Sequence, residues 1–195
     1  MTPRSGTRQS QKLQTILAST ELLMLEQGYG AVTYRSVAAQ AGVAPGLVQY
    51  YFPSLDDLFV AVLRDATDRL LLSLDEATRS EQPLRAAWSY ATNARGTALL
   101  MEFMALANHR EAVRSVIGEG GETVRQALLA AVAPRWREYG LDDDALPAPA
   151  VLFMLACIPR MIHLEERVGT FTGHAEATTL VERFLDRVEP RPLEK

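Results

Sequence analysis

Apolar positions recur at helical spacing along this chain from Gln11 onward, and the pattern predicts an all-α protein. Leu13, Ile16, Leu17, Leu23 and Met24, with Thr20 on the same face, predict a first helix over 11–27. Gly28, Tyr29 and Gly30 end it, glycine following the last periodic residue. Thr33 is a good N-cap for the next helix. On that helix Val37 and Ala38 face inward, and Ala38 is small enough to let a second helix cross it closely. Gly42 then supplies a turn that needs a positive φ, Val43 closes the corner, and Val48 and Phe52 form an apolar face at i, i+4. Residues 33–52 therefore read as two short helices joined by a tight turn, a helix-turn-helix.

Beyond Phe52 the Ser54-x-x-Asp57 pattern predicts a variant capping box that opens a long helix. Leu58, Phe59, Val62, Leu63, Ala66 and Leu70 give it one apolar stripe to about Leu74, so a displacement at its far end would rotate the helix-turn-helix at its near end. Pro83 suits a helical first turn. Further helices are expected over 83–93, 96–108, 110–133, 147–167 and 174–188. Gly118, Gly120 and Gly121 should weaken or kink the third of these, and Pro134 should bend its end. Leu141 to Pro149 reads as an acidic, proline-rich loop.

The outer face of the second short helix carries Pro45, Gly46, Leu47, Gln49, Tyr50 and Tyr51, entered through Ala44. These uncharged groups are of the kind that approach base edges, thymine methyls and phosphate oxygens. Thr33, Tyr34 and Arg35 open the first short helix, where a hydroxyl at a helix N-terminus and a guanidinium suit phosphate or guanine. Lys12 joins them as a candidate phosphate contact. The plain alternative is a helical hairpin whose tyrosines pack on a neighbour and whose Arg35 makes a surface ion pair.

The net charge of −4 argues at first against nucleic acid, but its distribution does not. Residues 1–55 hold Arg4, Arg8, Lys12 and Arg35 against Glu21 and Glu26, a net +2, which leaves −6 for the rest. A mildly basic end on an acidic body suits a protein that touches DNA with one end only. Residues 1–10 are polar and are expected to be a disordered tail or an arm that gains order on DNA. The single cysteine, Cys157, excludes an internal disulfide framework, and with no hydrophobic leader the expected compartment is the cytoplasm. The apolar run Ala145 to Ile158 is short and interrupted by prolines, so a buried helix is expected and no membrane partner.

Residues 11–63 resemble the amino-terminal domain of the TetR family of transcriptional regulators. Ile16 and Leu17, Gln27 to Tyr29, Thr33, Ala41 to Ala44, Tyr50 to Phe52 and Asp56 to Leu58 carry the resemblance. It implies a three-helix DNA-binding domain over 1–54 followed by a larger helical effector-binding and dimerisation domain over 55–195. It also implies double-stranded DNA, a second copy of the chain and an unidentified small molecule as partners, with repression relieved by that effector. Two positions depart from the pattern. Many members have tyrosine where this chain has Gln49, which can still bond adenine in bidentate fashion. Leu55 stands where many hold a phosphate-binding lysine, so backbone affinity rests on Lys12, Tyr50, Tyr51, Thr33 and helix N-termini, and a shallow salt dependence is expected. Leu55 also favours the rival reading, a helical protein–protein adaptor with a weak or vestigial DNA-binding module.

The last two helices have wide apolar surfaces, one with Val151, Leu155, Ile158 and Ile162, the other with Leu180, Val181, Phe184 and Leu185. They would close as a four-helix bundle between two subunits, or else pack inside one. The dimer suits DNA recognition, because two recognition helices related by a dyad read a palindrome with half-sites about one helical turn apart. For the effector, Trp88, Met101, Phe103 and Met104 are candidate cavity walls, and Glu102, Asn108, His109, Arg160 and His163 candidate polar groups. Each has an ordinary reading as core, surface or interface. His109, His163 and His174 are far apart in sequence with no cysteine pair or His-x3-His, so no metal and no cofactor is expected. No G-x-S-x-G, H-E-x-x-H or phosphate-cradling loop is found, and an enzyme is not expected.

Overall fold

No proline or glycine interrupts the sequence between Thr7 and Gln27, and one helix, α1 (Ser5–Gln27), fills it. The helix begins earlier than expected and takes in residues 5–10, which the polar composition had suggested would be disordered. The structure, a computed structural model, describes residues 5–78, 81–141 and 144–191, without the side chains of 5–8 and 76–78. The expected roles of Arg4 and of the Arg8 side chain lie outside the described residues.

The order continues as a 3-10 turn (Tyr29–Ala31), α2 (Tyr34–Ala41), α3 (Pro45–Tyr51), α4 (Leu55–Thr78), α5 (Pro83–Ala91), α6 (Ala94–Ala107), α7 (Glu111–Val132), a 3-10 turn (Ala133–Arg135), α8 (Ala148–Glu166) and α9 (His174–Val188). Among the described residues there is no strand, and the protein is all-α. The glycines at 118, 120 and 121 do not break α7. Gly120 instead has the Thr67 side chain beside it: a Cβ there would lie 3.2 Å from Thr67 Oγ1. Pro134 ends the helix in the 3-10 turn, as its missing N–H requires.

Packing groups the chain into two compact units, and α4, α6 and α7 each contribute to both. The first unit takes residues up to Asp68 together with Ala98–Gly120. Its core is Ile16, Met24, Val37, Val48, Leu58, Phe59 and Val62, joined by Phe103, Leu106 and Val113 from α6 and α7. The second takes Arg69–Thr97 and the residues from Gly121 on, around Leu84, Trp88, Val132, Trp136, Val151, Leu155, Val181 and Leu185. The boundary expected at 54/55 was drawn by function, whereas these units are drawn by packing.

In the second unit a buried carboxylate joins distant segments of the chain. Glu189 accepts the backbone N–H groups of Leu84 (2.9 Å) and Arg85 (2.8 Å) at the start of α5. Two of the orphan donors of that helix are thereby satisfied from the end of α9. The Tyr139 hydroxyl donates to the same carboxylate, and burial followed by this bond pushes its ionisation well above the usual phenol range.

By length and composition α8 is apolar enough to cross a bilayer, which the run 145–158 alone had not suggested. It is not the buried helix that was expected. Val151, Leu152, Leu155 and Pro159 pack in the second core, while Phe153, Met154, Met161 and Leu164 are exposed.

Candidate DNA-binding surface and effector cavity

Helix α2 starts from a reciprocal capping box. Thr33 Oγ1 accepts the Ser36 N–H at 3.0 Å, and Ser36 Oγ accepts the Thr33 N–H at 2.8 Å. It ends at Gly42, which adopts the left-handed conformation (φ 65°, ψ 35°) while Val43 N–H bonds Ala38 O at 3.0 Å. Pro45 then sits in the first turn of α3, where its missing N–H and fixed φ fit. Val37, Ala38, Val48 and Phe52 are buried as the spacing required. Each full burial of a valine is worth about 1.5–3 kcal/mol, which anchors so short a helix.

With Val48 turned inward, the opposite side of α3 faces solvent. Ala44, Pro45, Gly46, Gln49 and Tyr50 are exposed, Tyr50 to 74 %, and Leu47 and Tyr51 are half-buried. The Tyr50 and Tyr51 rings meet edge to face at 5.6 Å. Lys12, Thr33 and Arg35 are exposed too, and neither Lys12 nor Arg35 has an ion-pair partner among the described residues. Tyr34 differs from the rest. Its hydroxyl donates to Phe52 O at 3.0 Å, fastening α2 to the end of α3, and burial raises its ionisation, helped by nearby Asp57. Leu55 is half-buried against the first core, so the position that lacks the lysine is used for packing.

At the start of α4 the Ser54–Asp57 box is formed. Asp57 Oδ2 accepts from Ser54 N (2.9 Å) and Ser54 Oγ (2.7 Å), and Ser54 Oγ accepts from Asp57 N (3.1 Å). These bonds hold the Asp57 carboxyl below its ordinary range. Asp56 pairs with Arg110, which also lies over the Phe59 ring at 5.6 Å.

The effector candidates are not brought together as a set. In the first unit Phe103 is fully buried in the core, Met101 is half-buried, and Met104 and His109 are exposed. In the second unit Trp88 and His163 line one cavity of about 170 Å³. Its other walls are Ala91 and Thr92 at the end of α5, Ala94 and Thr97 at the start of α6, Pro159, Ile162 and Glu166 of α8, and Thr178 of α9. Arg160 is not among them; burial raises the ionisation of the Tyr90 phenol, and the Arg160 charge opposes that rise. The threonines and Glu166 were missed in the sequence, although Pro159, Ile162, His163 and Glu166 do form an i, i+3, i+4, i+7 stripe.

Of the proposed interface residues, Val151, Leu155, Val181 and Leu185 are buried within their own chain. Ile158, Ile162 and Phe184 are half-buried, and Leu180 is 71 % exposed. A partner can cover only what the subunit leaves open, and on α8 and α9 that includes the exposed Phe153, Met154, Met161, Leu164 and Leu180.

Residues 16–62 match the family model for bacterial regulatory proteins, tetR family. This amino-terminal segment is a TetR-family DNA-binding domain. The chain is 40 % identical over 75 residues to an uncharacterized HTH-type transcriptional regulator in the dhlA 5' region of Xanthobacter autotrophicus, a stretch covering 38 % of this chain and 37 % of that relative. The TetR-family fold extends over almost all of the chain. It superimposes on a TetR transcription regulator from Haloarcula marismortui with TM-score 0.70, at 21 % identity and covering 92 % and 98 % of the two chains. Multidrug binding protein EbrR complexed with imidazole matches with TM-score 0.62 and 25 % identity over 100 % of both chains. A Saccharomonospora viridis protein in complex with choline gives 0.71 at 14 % identity, covering 95 % and 100 %.

Proposed function

We propose that this TetR-family protein is a homodimeric regulator that represses transcription from a palindromic operator until a small effector enters its second unit. One observation carries the DNA-binding role. The side of α3 opposite the buried Val48 exposes Gln49 and Tyr50, and Arg35 and Lys12, without ion-pair partners among the described residues, supply charge from α2 and α1. In this reading Gln49 meets a base edge, while Lys12, Thr33 and the tyrosines meet phosphates.

A single seven-residue helix reads few base pairs, so the reading includes a second copy docked on the exposed side of α8 and α9. The cavity on Trp88 and His163 is the effector site in this scheme. Imidazole and choline in the two structural relatives are compact molecules, of a size such a cavity suits. The effector acts by favouring a state in which α4, one unbroken helix with residues in both units, is tilted. The recognition helices are then spaced wrongly for successive major grooves. Affinity falls by the difference in effector binding between the two states.

The test is selection of duplexes from a random DNA pool by the purified protein, followed by sequencing. A two-fold symmetric site with half-sites about one helical turn apart is the expected result. Retention no better than for unselected DNA would overturn the reading and favour the protein–protein adaptor, to which Leu55 is suited.

A further inference from the structure

We propose that the cavity of the second unit takes a compact organic cation with an N–H donor, its charge against Glu166 and its donor on His163. The proposal rests on the reading of this cavity as the effector site and narrows the chemistry of what enters it.

Size sets the first limit. The cavity of about 170 Å³ is close to the roughly 150 Å³ of an apolar cavity that holds benzene, and below the several hundred cubic ångströms of drug-sized sites. A single ring or a branched group of similar bulk fits, and a fused polycycle does not.

Polar groups in the walls set the second. Three of them are already committed. Trp88 Nε1 donates to Glu182 at 2.8 Å, Thr92 Oγ1 to Trp88 O at 2.9 Å, and Thr97 Oγ1 to Ala91 O at 3.2 Å. His163 Nε2 is buried with no hydrogen-bond partner among the described residues. A buried ring nitrogen left unpaired is costly, and a ligand is the means of pairing it. One turn on along α8, Glu166 has no ion pair among the described residues, whereas its neighbour Glu165 is bonded to His174 at 2.6 Å. An anion would be repelled by Glu166, and a neutral molecule would leave it unused. A cation that donates one N–H to His163 satisfies both groups, with Trp88 and Ile162 as apolar walls.

Isothermal titration calorimetry of the full-length protein with benzamidinium, and with its neutral isostere benzamide, tests this. Benzamidinium is expected to bind, with benzamide about tenfold weaker, the ratio a charge-assisted hydrogen bond supplies. Glu166→Gln should abolish that preference, and His163→Leu should weaken benzamidinium further. Glu166 is exposed, so its variant keeps the fold and the comparison stays clean. Equal binding of the two probes, no binding of benzamidinium, or an unaltered preference in Glu166→Gln would overturn the proposal. Operator affinity is read separately on the selected duplex. Benzamidinium that binds without changing it upholds the ligand class and removes the effector role. Release of DNA by an anionic or neutral compound, with benzamidinium inert, removes the ligand class and leaves the effector role standing.

Discussion

The carboxylate of Glu102 accepts the backbone N–H of Tyr29 at 2.8 Å, across 73 positions of sequence. Tyr29 follows Gly28, which takes φ 79° at the end of α1, so the bond holds the bend that leads into α2. Glu102 belongs to α6, well outside the sequence motif of the DNA-binding end, yet it helps to fix that end. Replacing it by Ala leaves a partly buried N–H unpaired and is expected to lower unfolding free energy by about 2 kcal/mol. Glu102→Gln retains an acceptor and should lose less. Urea denaturation of the three proteins decides it, and equal stability would show the bond to be idle.

Gly42 isolates a backbone effect. A Cβ placed there meets nothing within 4 Å, so no side-chain clash contributes. Gly42→Ala should still destabilise by about 1–2 kcal/mol, because the left-handed conformation disfavours a Cβ, and Gly42→Asn should cost less than Ala. Thermal melts with matched ΔH would reveal the order. Indifference to both changes would mean that the turn relaxes.

Asp57 makes a share of the stability pH-dependent. Its folded-state ionisation lies below the ordinary value of 3.8, chiefly through the Ser54 hydroxyl and then the Ser54 N–H. The sign follows from that depression. The contribution is present in full well above 3.8 and is withdrawn as pH falls through and below that value. Asp57→Asn should therefore be less stable than the natural chain at pH 7 and closer to it at pH 3, in melts at low salt. The side chain is fully exposed, so added salt should shrink the difference.

Helices were legible because their signals are local. Thr33 with Ser36, Ser54 with Asp57, Gly42 and Pro83 each act within one turn, and the caps and starts fall where those residues stand. Cores and cavities depend on which faces meet, and a period cannot tell one apolar face from another. Ile162 was grouped with the interface by its spacing, and it lines the cavity. Val151 and Leu155 share that stripe and are buried in their own subunit, while Phe153 and Met154, one step round the helix, are left outside. Phe103 looked like a cavity wall and is core, since an aromatic at helical spacing carries no mark of what it touches.

Gln49 and Lys12 should separate base reading from phosphate holding. Both are exposed, so neither change should disturb the fold. Gln49→Ala is expected to cost about 1–3 kcal/mol on the preferred site and little elsewhere, which relaxes sequence preference. Lys12→Ala should weaken every duplex alike and reduce the slope of log affinity against log salt by about one unit. Fluorescence anisotropy across a salt series on the selected site and a scrambled one measures both. Identical behaviour of the two variants would remove the division of roles.

Leu180 and Met161 test whether a second copy covers α8 and α9. They are 71 % and 55 % exposed in the subunit, so a charge at either position should change subunit stability by no more than about 0.5 kcal/mol. At the centre of a dimer interface the same charge would be buried without a partner, which is strongly unfavourable. Leu180→Glu combined with Met161→Glu is therefore expected to give folded monomers in sedimentation velocity and to lose high affinity for a palindrome while keeping weak affinity for a half-site. Val181→Glu is the contrast. Val181 is buried in its own core, so that change should unfold the subunit rather than separate one subunit from its partner. A double variant that remains dimeric would show that the copies meet on another face, and the exposed apolar side of α8 would then need a different partner.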